Sequence, residues 1–263
     1  DEIYNLAAQS HVAVSFKNPL YSTQTGTLGA LSILEAIKST GKDIKFYQAS
    51  SSEMYGGEEK ILLNENSLFD PKSPYAASKV FAHNITKIYR ESYGMFSVNG
   101  ILFNHESPMR GETFVTRKIT RAVGRIVNEV QSKLTLGNLD ASRDWGFAGD
   151  YVEGMIAMMS HEQADDWVLA TGETHTVKEF LNLAFEYVNL DWDKYVLTSE
   201  KYFRPNEVNH LLGDPSKANK ILNWKPKVSF NDLVKMMVDH DIELAKKEKV
   251  LIDNNLLKPT WEY

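Results

Sequence analysis

Apolar positions along the chain alternate between short continuous runs and longer stretches with helical period. Residues 2–7 (Glu2-Ile3-Tyr4-Asn5-Leu6-Ala7) read as a buried strand running into the polar Ala8-Gln9-Ser10-His11. Asn18-Pro19 opens a segment with Leu28, Leu31, Leu34 and Ile37 at helical spacing, closed by Gly41. A second strand, Ile44-Lys45-Phe46-Tyr47-Gln48-Ala49-Ser50, ends in a run of hydroxyls and enters a polar loop containing Gly56-Gly57 and Asp70-Pro71-Lys72-Ser73-Pro74. From Ser73 a second long helix carries Tyr75, Lys79, Phe81, Ile85 and Tyr89, and residues 96–103 form a third strand. Strand and helix in alternation, with apolar strands, predict an α/β fold whose parallel sheet is covered on both faces.

Beyond Asn104 the pattern loosens. A helix near 115–130, a short strand at Leu134-Thr135-Leu136 and an Arg143-Asp144-Trp145 loop precede a helix from about 149. The strand Trp167-Val168-Leu169-Ala170 completes the sheet, and Thr176 with Glu179 has capping-box spacing. The C-terminal third, with an amphipathic helix from Phe230, reads as a smaller α+β lobe, and residues 252–263 as a frayed tail.

The chain has 263 residues, and 29 Lys+Arg against 35 Asp+Glu give a formal charge of −6. No basic stripe offers itself to nucleic acid. With no cysteine, disulfides, thiolate nucleophiles and Cys-based metal sites are excluded, and the 7 histidines show no metal-ligand spacing. No apolar run reaches the ~20 residues of a membrane span, so a soluble cytoplasmic protein is expected.

Ligands of open parallel sheets bind at the carboxyl ends of the strands. Polar clusters at Ala7–Ser10, Ser50–Glu53 and Asn104–Arg110 converge there. Tyr75 and Lys79, four residues apart, share a helix face. A lysine cation favours phenolate and makes tyrosine a usable proton acceptor; a solvated helix face is the alternative. Ser51 suits a hydrogen bond to a substrate oxygen and Glu53 a proton transfer at a neighbouring carbon, unless both only cap a turn. Arg117, Lys118, Arg143 and Arg204 are cationic forks of the kind a diphosphate needs, or ordinary surface charge. No G-x-G-x-x-G is present, and Gly26 and Gly29 lie inside a helical segment.

Phe46-Tyr47-Gln48-Ala49-Ser50-Ser51-Ser52-Glu53-Met54-Tyr55-Gly56 and Ser73-Pro74-Tyr75-Ala76-Ala77-Ser78-Lys79 resemble the extended short-chain dehydrogenase/reductases. Residues 98–108, 114–119, 136–140, 143–146, 204–207 and 222–226 narrow the resemblance to their GDP-mannose 4,6-dehydratase family. The resemblance implies a partial doubly wound, Rossmann-type sheet. Residues 1–103, joined by about 147–172, would be the remainder of the dinucleotide-binding domain, and 104–146 with 173–263 the substrate-binding lobe. It implies dehydration of GDP-mannose to GDP-4-keto-6-deoxy-mannose through bound NADP, with Ser51, Glu53, Tyr75 and Lys79 catalytic. Leu6, Ala7, Ala8, Gln9, Ser10, Tyr21, Lys79, His105 and Arg110 would line the cofactor. Asn104, Val115, Arg117, Lys118, Asn138, Arg143, Arg204 and Glu207 would hold the GDP-sugar.

Glu53 argues against an epimerase or reductase of the same family, and Ser52 before it favours the GDP-mannose type over the dTDP-glucose dehydratases. A non-catalytic relative would be expected to lose the Tyr–Lys pair. Two positions depart from the pattern: Ser51 stands where threonine is usual, and Met109 where a second arginine is common. The helices 18–40 and 73–93 resemble a dimer-forming pair, so a homo-oligomer is expected. The chain opens at Asp1 within a strand, which predicts that about 60–90 family residues, including the glycine-rich turn, precede it. In their absence NADP binding is expected to be weak.

Overall fold

The computed structural model of the chain describes residues 1–57 and 61–261. Its principal elements are β1 (Glu2–Asn5), α1 (Val12–Lys17), α2 (Pro19–Thr40), β2 (Lys45–Ser51), α3 (Pro74–Tyr93) and β3 (Ser97–Leu102). These are followed by α4 (Val115–Val127), α5 (Ala148–Ser160), β4 (Asp166–Leu169), α6 (Val177–Tyr187), α7 (Ser216–Ile221) and α8 (Phe230–Asp253). Two compact units result. One comprises Asp1–His105, Arg143–Thr174 and Arg204–Lys227, the other Glu106–Ser142, His175–Phe203 and Val228–Tyr263.

The first unit is built on a parallel sheet of order β1-β2-β3-β4. Side chains alternate across a strand, and β2 shows both faces covered. Phe46 is buried with Leu34 and Ile37 of α2 and Tyr89 of α3. The next residue, Tyr47, joins Tyr151, Met155 and Met158 of α5 together with Trp224. Ser51 lies opposite Leu102, and Leu102 opposite Leu169. The carboxyl ends of β2, β3 and β4 are therefore level, and the polar clusters that follow two of them start from one edge of the sheet.

Proline starts α2 and α3: Pro19 and Pro74 occupy first-turn positions, where the missing N–H costs nothing. Residues 12–17, for which the sequence pattern gives no element, form a separate short helix ended by Asn18. Gly26 sits where α2 meets α3, and a Cβ there would lie 2.3 Å from Ser78 Oγ. The glycine serves a helix crossing.

Three expectations change. Residues 142–143 and 145–147 are short extended segments, not one loop. The segment 204–227, read as part of the smaller lobe, belongs to the first unit. Close packing holds it there: a Cβ on Gly213 would meet Ala170 Cβ at 2.3 Å, and Trp224 Nε1 donates to Asp150 O at 2.7 Å. The tail is not frayed through its described length, because Trp261 Nε1 donates to Val130 O at 3.1 Å and the Arg125 guanidinium covers its ring at 3.8 Å. Residues 262–263 of that tail, and 58–60 of the polar loop, lie outside the described residues.

In the second unit Leu134–Leu136 and Val196–Thr198 pair in parallel. The Thr176–Glu179 capping box forms in both directions and starts α6, whose Phe180, Leu181, Ala184 and Phe185 are buried. Among the described residues no helix is long and apolar enough to cross a membrane.

Candidate active site

β2 runs directly into a 3-10 turn, Ser52–Tyr55, whose residues are all buried. Ser51 caps the turn, its Oγ accepting from Glu53 N at 3.3 Å. The cap expected as an alternative thus exists, and it also fixes Glu53 two residues beyond the strand. Gly56 closes the turn at φ 78°, in the left-handed region that favours glycine. Glu53 Oε1 accepts from Arg204 Nη1 at 3.3 Å and lies 3.9 Å from Arg143 Nη2. Glu207 Oε1 faces the same pair, 3.8 Å from Arg143 Nη2 and 3.8 Å from Arg204 Nε. Burial pulls the Arg143 guanidinium below its usual pKa, and Glu53 is the strongest opposing influence. Two arginines and two carboxylates balance one another here.

α3 brings the second group. Ser73 caps the helix by accepting from Ala76 N at 3.1 Å, which places Tyr75 in the first turn. Partial positive charge at a helix N-terminus favours phenolate. Lys79, one turn on, is buried, and its Nζ lies 5.8 Å from the Tyr75 ring centroid. Nζ donates to Ala49 O at 2.7 Å, tying α3 to β2 two residues before Ser51.

Burial lowers Lys79 from 10.5 to about 8. A lysine that is harder to charge in the fold than in the unfolded chain costs stability below its folded pKa. That cost disappears as pH rises from about 8 toward 10.5. The difference is worth about 3 kcal/mol. Ala49 O keeps a second donor, Gln48 Nε2 at 2.9 Å. Lys79→Met is therefore expected to raise the melting temperature near neutral pH while impairing activity. Its stability advantage should shrink in melts taken between about pH 8 and pH 10; an advantage constant with pH would refute the assignment.

Leu6, Ala7, Ala8, Gln9 and Ser10 follow β1, half-buried or exposed. Asn5 Oδ1 accepts from Ala7 N at 3.3 Å, and Gln9 Oε1 from Ser22 Oγ at 3.1 Å. Tyr21 is exposed on α2. Past β3, Asn104 carries a buried Oδ1 with no hydrogen-bond partner among the described residues. His105 Nδ1 lies 2.9 Å from Phe103 O, with its ring stacked on Tyr151 at 5.1 Å.

The remaining expected residues belong to the second unit. Arg110 Nε pairs with Glu106 Oε2 at 3.2 Å, and its guanidinium covers Phe114. Val115 opens α4. Lys118 Nζ donates to Thr135 O at 2.7 Å beside the Tyr202 ring, and burial lowers its pKa. Asn138 Oδ1 accepts from Asp140 N at 2.9 Å. Arg117, expected to hold the GDP-sugar, is bonded within the second unit through two of its three nitrogens. Its Nε donates to both Asp241 oxygens (3.1 and 2.8 Å), and Nη1 donates to Pro108 O and, at 3.0 Å, to Arg110 O. Nε and Nη1 are engaged inside this unit, fixing α4 to α8 and the turn that carries Arg110. Among the described residues no group of three or more His, Cys, Asp or Glu is placed to hold a metal ion.

Sequence reading passed over Asp144, which is fully buried. Oδ1 accepts from Thr171 N and Oγ1 at 2.8 and 2.7 Å, and Oδ2 from Gly172 N and Gly213 N at 3.0 and 3.3 Å. Its adjacency to Arg143 was visible, but not its four donors.

A parallel sheet with level strand ends, a Tyr–Lys pair on the crossing helix and a buried Glu–Arg cluster define a Rossmann-type short-chain dehydrogenase/reductase. The family model described as GDP-mannose 4,6 dehydratase matches residues 1–237, and the chain belongs to that family. It is 60% identical over 257 residues to GDP-mannose 4,6 dehydratase 2 of Arabidopsis thaliana, spanning 96% of this chain and 69% of that protein. It is 46% identical over 264 residues to GDP-mannose 4,6 dehydratase of Homo sapiens, spanning 93% and 71%. Among solved structures, RMD from Pseudomonas aeruginosa complexed with NADPH superposes with a TM-score of 0.85 at 23% identity, covering 93% of this chain and 82% of that one. Thermus thermophilus UDP-glucose 4-epimerase in complex with NAD gives 0.80 at 26% identity, covering 91% and 77%. The structural likenesses establish the fold.

Proposed function

We propose that this chain dehydrates GDP-mannose to GDP-4-keto-6-deoxy-mannose, with NADP as its nicotinamide cofactor. The observation that carries the reading is Glu53, held buried two residues beyond the strand that Lys79 ties to the Tyr75 helix. The donor set suits a dinucleotide: after its bond to Ala49 O, the Lys79 ammonium has N–H donors left for ribose hydroxyls. Asn104 Oδ1, buried without a partner among the described residues, is an acceptor suited to a ligand hydroxyl.

Lys79 and Asn104 would help hold the nicotinamide cofactor, which would supply reversible hydride acceptance between C4 and C6 of the mannose. Tyr75 takes the proton of the C4 hydroxyl, so that C4 becomes a ketone. The ketone acidifies C5–H, and Glu53 removes that proton. Glu53 passes the proton to the departing C6 hydroxyl, which leaves as water; C5 then takes a proton from solvent as hydride arrives at C6, and Tyr75 releases to solvent the one it took, so that the net loss is one water. Ser51 hydrogen-bonds the sugar, Arg143 and Arg204 hold the diphosphate, and the Glu207 carboxylate beside them accepts from a hydroxyl of the nucleotide.

The test is mass spectrometry of GDP-mannose incubated with the protein and NADP+. Loss of one water is expected. A product of unchanged mass would favour the second reading, an epimerase of the same family. The exposed Leu20, Tyr21 and Leu28 of α2 and Phe81, Ile88 and Tyr93 of α3 support a homo-oligomer. Sedimentation of a monomer at all concentrations would contradict that assembly.

A further inference from the structure

The proposed reaction has no use for Asp144, yet the fold keeps this carboxylate fully buried. Desolvation lifts its pKa to about 6, only partly offset by its hydrogen bonds, so ionisation near neutrality costs stability. In return, one short, rigid side chain offers enough lone pairs for four donors. Those donors come from two places. Thr171 and Gly172 form the turn after β4, where Gly172 adopts φ 80°. Gly213 ends the stretch that begins at Arg204 and Glu207. That stretch has little freedom: Val208 and Leu211 are buried, and a Cβ on Gly213 would meet the Phe103 ring at 2.8 Å.

Asp144 is also covalently next to Arg143. One carboxylate thus grips the segment carrying Arg204 and, through its own backbone, the base of Arg143. Both guanidiniums reach Glu53 from there. We propose that Asp144 is a positioning residue that sets the spacing of Arg143 and Arg204, and so the site's complementarity to a nucleoside diphosphate. The proposal rests on the reading that these arginines hold the diphosphate of the substrate.

The experiment is calorimetric titration of the whole chain with GDP, accompanied by melting curves. It uses the parent, Asp144→Asn, Arg143→Ala and the double variant. Asparagine offers one acceptor oxygen and turns N–H groups toward N–H groups, so the clamp loosens. Asp144→Asn is expected to weaken GDP binding about tenfold, and to raise KM for GDP-mannose by a similar factor with kcat changed less than about threefold. In the Arg143→Ala background the same change should cost less than about twofold, since with one guanidinium gone there is no spacing between the two left to set. A merely structural role would give additive losses and no split between KM and kcat.

Should Asp144→Asn fail to fold, Thr171→Val removes one donor from the other side and should weaken GDP binding in the same, coupled way. Unchanged GDP affinity in a folded Asp144→Asn, or additive losses with Arg143→Ala, overturns the proposal. A parent that does not bind GDP overturns the functional reading itself, and the proposal with it.

Discussion

Tyr75→Phe is expected to reduce turnover of GDP-mannose by about a thousandfold while leaving GDP affinity unchanged. General acid–base groups contribute about 10²–10⁴ to rate, and the loss should fall near the middle of that range. The phenol oxygen is the only atom removed. Two features favour its ionised form: the first-turn position on α3 and the Lys79 ammonium 5.8 Å from the ring centroid. Phenylalanine keeps the ring's bulk, so the start of α3 should hold its shape and the melting temperature should move little. Steady-state turnover beside a GDP titration checks the claim. Turnover within a few fold of the parent would show that some other group takes the C4 hydroxyl proton.

Glu53→Gln should have an effect of the same order on water loss, about 10²–10⁴, with a second signature. The parent, run in deuterium oxide, should give product labelled at C5, because the proton removed there is replaced from solvent. The amide cannot take that proton, so water loss and label should vanish together. Charge complicates the variant and also makes it informative. Glu53 is the negative neighbour of both Arg143 and Arg204, and removing one partner of a buried ion pair can cost about 3–5 kcal/mol. Here Arg204 is only half-buried and Glu207 still faces both guanidiniums, so the penalty should be well below that. With one competing carboxylate gone, GDP should bind the folded variant at least as tightly as the parent. Retained C5 labelling would falsify the role assigned to Glu53.

The architecture was legible where local chemistry repeats at short range. Ser73-Pro74 announced the start of α3, Thr176 and Glu179 the start of α6, and the apolar runs marked the strands of the main sheet. The 3-10 turn at Ser52–Tyr55 has no periodic signal, and the short extended segments around Arg143 were hidden by their brevity. Among site residues, side-chain identity and strand-end position were readable, but their bonding partners were not. Arg117 looked like a phosphate fork because Asp241, which takes both its Nε contacts, stands at the far end of the chain. Asp144 looked ordinary for the same reason, its donors lying at Thr171, Gly172 and Gly213. Desolvation and pairing are consequences of tertiary proximity, and a one-dimensional pattern carries neither.

The strand order has a consequence for how the protein is made. β3, buried along its whole length, pairs on one side with β2, which emerges from the ribosome before it. Its other neighbour, β4, follows only after α4 and α5 have been synthesised. Throughout that interval Ser97–Leu102 presents an unpaired strand edge, the kind of template on which nascent chains aggregate. Closing the sheet is a long-range event and intrinsically slow. Yield in a heterologous host should therefore depend more on chaperone supply and translation speed than on the stability of the finished protein.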